Sequence, residues 1–376
     1  MSSLFNTIFP ADSLEFCPTP GFQDLFACGT YKLLDQDQDQ KSSVQKQEKS
    51  LQKRRGQCLL FRARPTESVL EIEQIQSVDL PAIPDMKWCP SVSRDMSPSI
   101  SSDPLLAVAD SEGSITLHSC DKGSLSQMEA VRCASPEILC LSLDWSNRRF
   151  AGSNLGSLVV SLSNGSLSLI SPTQGSMEIQ ETWHAHDYEP WIAAWDYWDS
   201  NVIYSGGDDL KLKSWDLRQG FDQPLFTNKR FEAGVTTIQN HPHIEHLVVV
   251  GSYDNTIRLF DTRKMVTPLV STDVGGGVWR AKWHPSPARK NDLLLACMHD
   301  GFKTIHFSSS TPADSPTTLE KNTQFSESEG HIVKHYTAHE SLAYGADWSH
   351  APALGNRQTI VGCCSFYDHK MSLFLA

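Results

Sequence analysis

Two short segments of the chain carry an imidazole at a tight-turn signature: MHDG (298–301) and FYDH (366–369). Imidazole is the side chain best suited to take a proton at neutral pH, so His299 or His369 could remove one from an attacking water. Arg280 closes the stretch GGGVWR (275–280), where three glycines precede a forked cation that can bind a carboxylate or steady an oxyanion. Neighbouring segments are rich in aromatic and acidic residues: Glu189 and Trp191 in HDYEPW (186–191), Asp208 in GGDD (206–209), Tyr253 in SYDN (252–255), Trp279, and Tyr344 in ESLAYG (340–345). Aromatic faces and carboxylates together hold organic cations. Packing between neighbouring elements accounts for each aromatic taken alone equally well.

Other routes to catalysis have weaker support. A G-x-S-x-G elbow and an H-E-x-x-H metal motif are both missing from the sequence. Ser-x-x-Lys occurs as SVQK (43–46) and SLQK (50–53), both inside a charged polar stretch that gives a nucleophile no rigid support. HPHIEH (241–246) has metal-like spacing between His241 and His243, but it stands where other parts of the chain carry the turn pieces WHP and WCP, so a surface turn is expected there. Neither a metal nor a cofactor is expected, and water attack assisted by a general base is the simplest remaining chemistry.

The elements that hold these residues repeat along the chain. YSGGDDLKLKSWDLR (204–218) and GSYDNTIRLFDTRK (251–264) share a small-residue run, an acidic turn, an alternating strand and an aromatic-Asp-x-Arg ending, offset by one blade-length of a β-propeller. Weaker copies lie at 105–119, 159–171, 294–307 and 363–376. Before each hairpin runs a short strand, with starts expected near Ile83, Leu139, Ile192, Val235, Val278 and Ala343. The N-terminal stretches 24–34 and 56–65 offer a seventh unit, and LFNTIFP (4–10) is free to add the outermost strand of the last one. The fold class expected is therefore an all-β, seven-bladed β-propeller whose ring is closed by the N-terminal strand, in one domain over 1–376. Mobile insertions are expected at 35–56, 91–103 and 308–330, which are too polar to offset their ordering entropy. Aligning the inner strands on their terminal Trp gives a polar stripe facing the central channel: Asp85, Lys87, Asp144, Arg280, Lys282 and Asp347. A balanced network of buried charge pairs is the plainer explanation of that stripe.

Composition limits the partners. Lys and Arg total 32 against 44 Asp and Glu, a formal net charge of −12, which disfavours nucleic acid and anionic membrane surfaces. The 10 cysteines lack the spacing of a disulfide framework, and MSSLFNTIFPADSLEF is a poor signal peptide, so a cytoplasmic protein with reduced thiols is expected.

The copy at 204–218 resembles the WD-repeat family, in which a His, a Ser or Thr, a turn Asp and a Trp tie a blade together. The resemblance implies that network at His186, Ser205, Asp209 and Trp215, and only there, since Val250, Ala296 and Cys364 occupy the serine place in later copies. DMKWC, LSLDWS, WIAAW, YSGGDD, GSYD, GGGVWRAKWHP, ACMHDGFK, LAYGADWS and CSFYDH, in that order, are similar to the WD-repeat diphthine methyl ester hydrolases of diphthamide biosynthesis. That resemblance implies hydrolysis of the methyl ester of diphthine on translation elongation factor 2, with other diphthamide-pathway enzymes as possible partners. Its quaternary ammonium would then sit against Trp191, Trp279 and Tyr344 near Glu189 or Asp208, with Arg280 at the oxyanion and His299 or His369 as the base. The alternative, of another class, is a non-catalytic scaffold that uses Arg218 and Arg263 of the aromatic-Asp-x-Arg elements to dock on a cullin-RING ubiquitin ligase.

Overall fold

A computed structural model describes residues 1–34, 52–66, 69–90, 103–149, 155–308 and 330–376. It contains seven antiparallel sheets. Their innermost strands are Ala11–Phe16, Asp85–Trp88, Cys140–Trp145, Ile192–Trp195, Val235–Asn240, Arg280–Trp283 and Ala343–Trp348, and each packs against the next until the last meets the first. This is the seven-bladed β-propeller expected, with blades one to seven numbered by those strands. Apolar side chains alternate out of each sheet and form one cluster at every seam between blades. The seams fix the inner strands around the channel, and the inner strands in turn fix the site.

The closing strand is Ser2–Asn6, paired with Lys370–Leu375, so its hydrogen bonds fall slightly before the 4–10 window. The stretches at 24–34 and 56–65 supply Leu25–Thr30 and Arg54–Pro65 as the second and third strands of blade one. Its innermost strand, Ala11–Phe16, escaped the sequence reading because it ends in Phe16 where five others end in Trp. The boundary at 56 is also corrected: the third strand begins at Arg54, and Arg54 and Arg55 pair with Leu33 and Lys32. Most of the three insertions, including SVQK, lies outside the described residues.

Adjacent inner strands are stapled by side chains. Asp85 Oδ2 accepts the Leu143 amide at 3.1 Å, Asp144 Oδ2 that of Trp195 at 3.0 Å, and Asp347 Oδ2 that of Phe16 at 2.8 Å. In the opposite direction the indoles of Trp88, Trp145 and Trp348 donate to the carbonyls of Glu15, Lys87 and Lys282. Each staple satisfies a buried polar group on both sides of a seam, which makes the charged stripe largely structural.

Blade four has its side-chain network. His186 bonds Asp209 Oδ1 through Nδ1 and Ser205 Oγ through Nε2, each at 2.8 Å, and Trp215 Nε1 donates to Ser205 Oγ at 2.9 Å. It is not alone, however. In blade seven His339 bonds Ser365 Oγ and Ser372 Oγ, each at 2.7 Å, and Ser365 donates to Asp368 at 2.5 Å. The serine stands one residue beyond Cys364, so a comparison at fixed spacing passes over it.

Candidate functional site

At one mouth of the channel the residues leading into the inner strands converge. Trp191, Trp279 and Tyr344 each stand four residues before the strand-ending Trp of blades four, six and seven. In blade seven a β-bulge between Ala343 and Ala346 takes Tyr344 out of the ladder. The three rings meet: Trp279 stacks on Tyr344 at 5.0 Å between centroids and meets Trp191 edge-on at 5.7 Å. Tyr253 stacks on the other side of Trp279 at 5.9 Å, and Phe366 continues the row beyond Tyr344 at 5.3 Å. All three of Trp191, Trp279 and Tyr344 remain partly exposed, so the row borders solvent rather than filling a seam.

Polar groups frame the row. Trp191 Nε1 donates to Asp208 Oδ1 at 2.8 Å. Gly234 makes this possible, since a Cβ there would come within 2.3 Å of Asp208 Oδ1. Glu189 contributes its backbone, whose carbonyl accepts the Asp208 amide at 3.0 Å. Trp279 Nε1 is buried and has no hydrogen-bond partner. Beneath it Arg280, 6% exposed, places its guanidinium 5.1 Å from the Trp279 ring centroid, donates to the Trp279 carbonyl at 3.1 Å, and lies 3.6 Å from Asp85 Oδ1. Burial pushes the phenols of Tyr253 and Tyr344 well above their usual range, so both stay neutral donors.

Deeper in the channel the charges pair off. Glu15 lies 2.5 Å from Lys282 Nζ and 2.9 Å from Lys87 Nζ, which itself lies 2.6 Å from Asp85. Burial works against the Glu15 carboxylate, but Lys282 and Lys87 outweigh it and hold its pKa well below the usual range. Asp144 is held at 2.7 Å by Arg148. Asp12 differs. It is 6% exposed, its Oδ1 has no hydrogen-bond partner, and burial pushes its pKa up to about 8. Glu15 and Asp12 were both missed in the sequence. The signal was available, because counting four residues back from Phe16, as from Trp195, Trp283 and Trp348, lands on Asp12.

The residues expected from sequence are only partly brought together. Trp191, Trp279, Tyr344, Asp208 and Arg280 form one connected group. His299 is exposed at its turn, and the preceding Met298 carbonyl accepts the Ala343 amide at 2.8 Å. His369 adopts φ 54°, and its carbonyl receives Thr7 N at 2.8 Å. Among the described residues neither imidazole hydrogen-bonds to the aromatic row or stacks on it. His241 is fully buried, not at the surface as expected. Its Nδ1 accepts the amides of His243 and Ile244 and its Nε2 bonds the Lys290 carbonyl, so both ring nitrogens are occupied within the fold. Arg218 and Arg263 each grip the Asp of their own blade, Asp216 and Asp261, through two nitrogens.

No protein-family model matches the chain. Among solved structures it is similar to a propeller chain in the crystal structure of a mitotic checkpoint complex, with a TM-score of 0.67, 13% identity and coverage of 100% of this chain and 91% of that one, a likeness of fold alone. Among curated proteins it is 37% identical over 355 residues to the diphthine methyltransferase of Homo sapiens, covering 92% of this chain and 73% of that protein. It is 34% identical over 399 residues to the diphthine methyltransferase homolog of Dictyostelium discoideum, covering 98% and 96%. Identity at this level along nearly the whole chain places it in the diphthine methyltransferase family.

Proposed function

We propose that the chain is an ester hydrolase that removes the methyl group from diphthine methyl ester on translation elongation factor 2. The observation that carries this reading is the row Trp191–Trp279–Tyr344, open to solvent, with Asp208 at one end and the buried Arg280 beneath. The diphthine side chain bears a trimethylammonium group, and a desolvated aromatic face contributes about 2 kcal/mol to holding such a cation. Asp208 adds negative charge at that end of the row, and the net charge of −12 favours approach of a cationic side chain. Arg280 lies where it can stabilise the oxyanion of the tetrahedral intermediate and afterwards the carboxylate product.

The test is to mix the purified chain with methyl-esterified elongation factor 2 and follow the mass of the modified peptide. Hydrolysis replaces a methyl with a hydrogen and lowers the mass by about 14 daltons at a rate that falls when Arg280 is replaced by Ala. No mass change with the pure protein would remove the enzymatic reading.

A further inference from the structure

Blade one puts a carboxyl where blades four, six and seven put an aromatic ring. Asp12 occupies the same place before Phe16 that Trp191, Trp279 and Tyr344 occupy before their tryptophans. A β-bulge between Ala11 and Ser13 takes it out of the ladder, as another does for Tyr344 in the neighbouring blade. The two bulged segments are in contact: a Cβ on Gly345 would stand 2.7 Å from Leu14 N and 2.9 Å from Ser13 C. Only a glycine after Tyr344 lets the aromatic row end against the Asp12 strand. Asp12 is buried, only 6% exposed, and its Oδ1 lacks the partner that buried carboxyl oxygens ordinarily have. Among the described residues Asp85, Asp144 and Asp347 are stapled to amides and Glu15 is paired with Lys282 and Lys87, whereas Asp12 Oδ1 has neither kind of partner.

We propose that Asp12 is the catalytic carboxyl of this site and takes the proton from the water that attacks the ester. The proposal deepens the methylesterase reading and rests on it. The water oxygen bonds to the carbonyl carbon while one of its protons passes to Asp12, and the carbonyl electron pair moves to the oxygen facing Arg280. Collapse of this intermediate breaks the bond to the methoxy oxygen, Asp12 returns the proton to it, and methanol leaves. The remaining water proton stays on the new carboxyl group and is lost to solvent, leaving a carboxylate.

Charges around Asp12 suit the task. Arg280 of blade six and Asp85 of blade two act on it with opposite sign, and the neutral groups within electrostatic reach are Tyr344, Tyr253, Tyr31 and Cys28. Burial dominates and raises the carboxyl to about 8, so the resting group is largely protonated at neutral pH. An arriving trimethylammonium favours the carboxylate, which ties ionisation of the base to the presence of substrate. The same shift fixes the sign of the stability effect. Between its unfolded value near 3.8 and about 8 the folded chain holds the Asp12 proton more tightly, so this residue's contribution to stability declines as pH rises through that window.

The experiment compares the whole chain with Asp12→Asn and with the double variant His299→Ala/His369→Ala on methyl-esterified elongation factor 2. Wild type should gain kcat/KM as pH rises toward about 8, and the double variant should keep that limb. Asp12→Asn should be slower by about 100-fold or more and lose the limb, while its Tm equals or exceeds that of wild type at alkaline pH. An active wild type with Asp12→Asn within twofold of it, or a double variant that loses the limb, overturns the assignment and leaves the methylesterase reading standing. A wild type inactive at every pH overturns both. Should Asp12→Asn fail to fold, the limb in wild type and in the double variant decides alone, and its absence from wild type counts against Asp12.

Discussion

Blade four and the channel mouth each join a tryptophan to an aspartate, yet the two sets end differently. Within the blade-four network the side chains answer one another: His186 uses both ring nitrogens, Ser205 receives His186 and the Trp215 indole, and Asp209 closes the chain. At the mouth Trp191 finds Asp208, but the Trp279 indole and Asp12 Oδ1 are buried without partners. An unanswered buried polar group costs about 1–3 kcal/mol, so the two at the mouth weigh against stability there. The two sets differ in satisfaction of hydrogen bonds rather than in residue type, although the indoles of Trp183, Trp195 and Trp283 elsewhere in the ring are also buried without partners. Trp and Asp occur in both regions and carry no label of their own.

The largest effect expected from breaking the scaffold side is on stability. Asp209→Ala removes the partner of a fully buried imidazole and should cost about 3 kcal/mol in denaturant unfolding, with kcat of the folded fraction unchanged. Asp300→Ala should cost less, because that side chain is 37% exposed and pairs with Lys303 and His335 in place of a His–Ser–Trp network. A folded Asp209→Ala protein with kcat abolished would mean that blade four belongs to the site, and the distinction would fail.

Breaking the mouth should invert the pattern. Trp279→Ala removes the ring that touches Trp191, Tyr253 and Tyr344 together, and kcat/KM is expected to fall about 30-fold, in line with about 2 kcal/mol of cation–π contact. Trp279→Phe should recover part of that loss. A Trp279→Ala enzyme with unchanged kcat/KM would show that the row holds no substrate.

The smallest effect is expected at the aromatic-Asp-x-Arg elements. Arg218 and Arg263 have side chains 56% and 58% exposed and already bond their own blade's carboxylate. Arg218→Ala combined with Arg263→Ala should shift stability by no more than about 1 kcal/mol and leave turnover intact. A loss of activity in that variant would make these arginines part of substrate docking.

The sequence made the ring readable because five inner strands end in Trp and most are followed by a turn with an acid at fixed spacing, both local signals. It made blade one hard to read because Phe16 replaces the Trp and the stretch 35–56 interrupts the spacing inside the blade. That gap hid Ala11–Phe16, and with it Asp12 and Glu15. The aromatic row was legible as a set of residues on one rim, since position relative to the inner strand decides the rim. Which imidazole or carboxyl faces the row was not, because that depends on bulges and on contact between blades that are distant in sequence, such as Gly345 against Leu14. The blade-seven network was missed for a smaller reason of the same kind, a serine displaced by one residue.

The central claim is that water, steered at the channel mouth, attacks the carbonyl of a methyl ester, as distinct from transfer of the methyl group itself. A single turnover in water enriched in oxygen-18 tests it directly. Attack at the carbonyl places one heavy oxygen in the product carboxylate, so the modified peptide should become lighter by about 12 daltons, the methyl loss of about 14 offset by about 2 from the label. A product lighter by about 14 daltons, with no label in the carboxylate, would mean that the bond to the methyl carbon is the one that breaks, and would contradict the account.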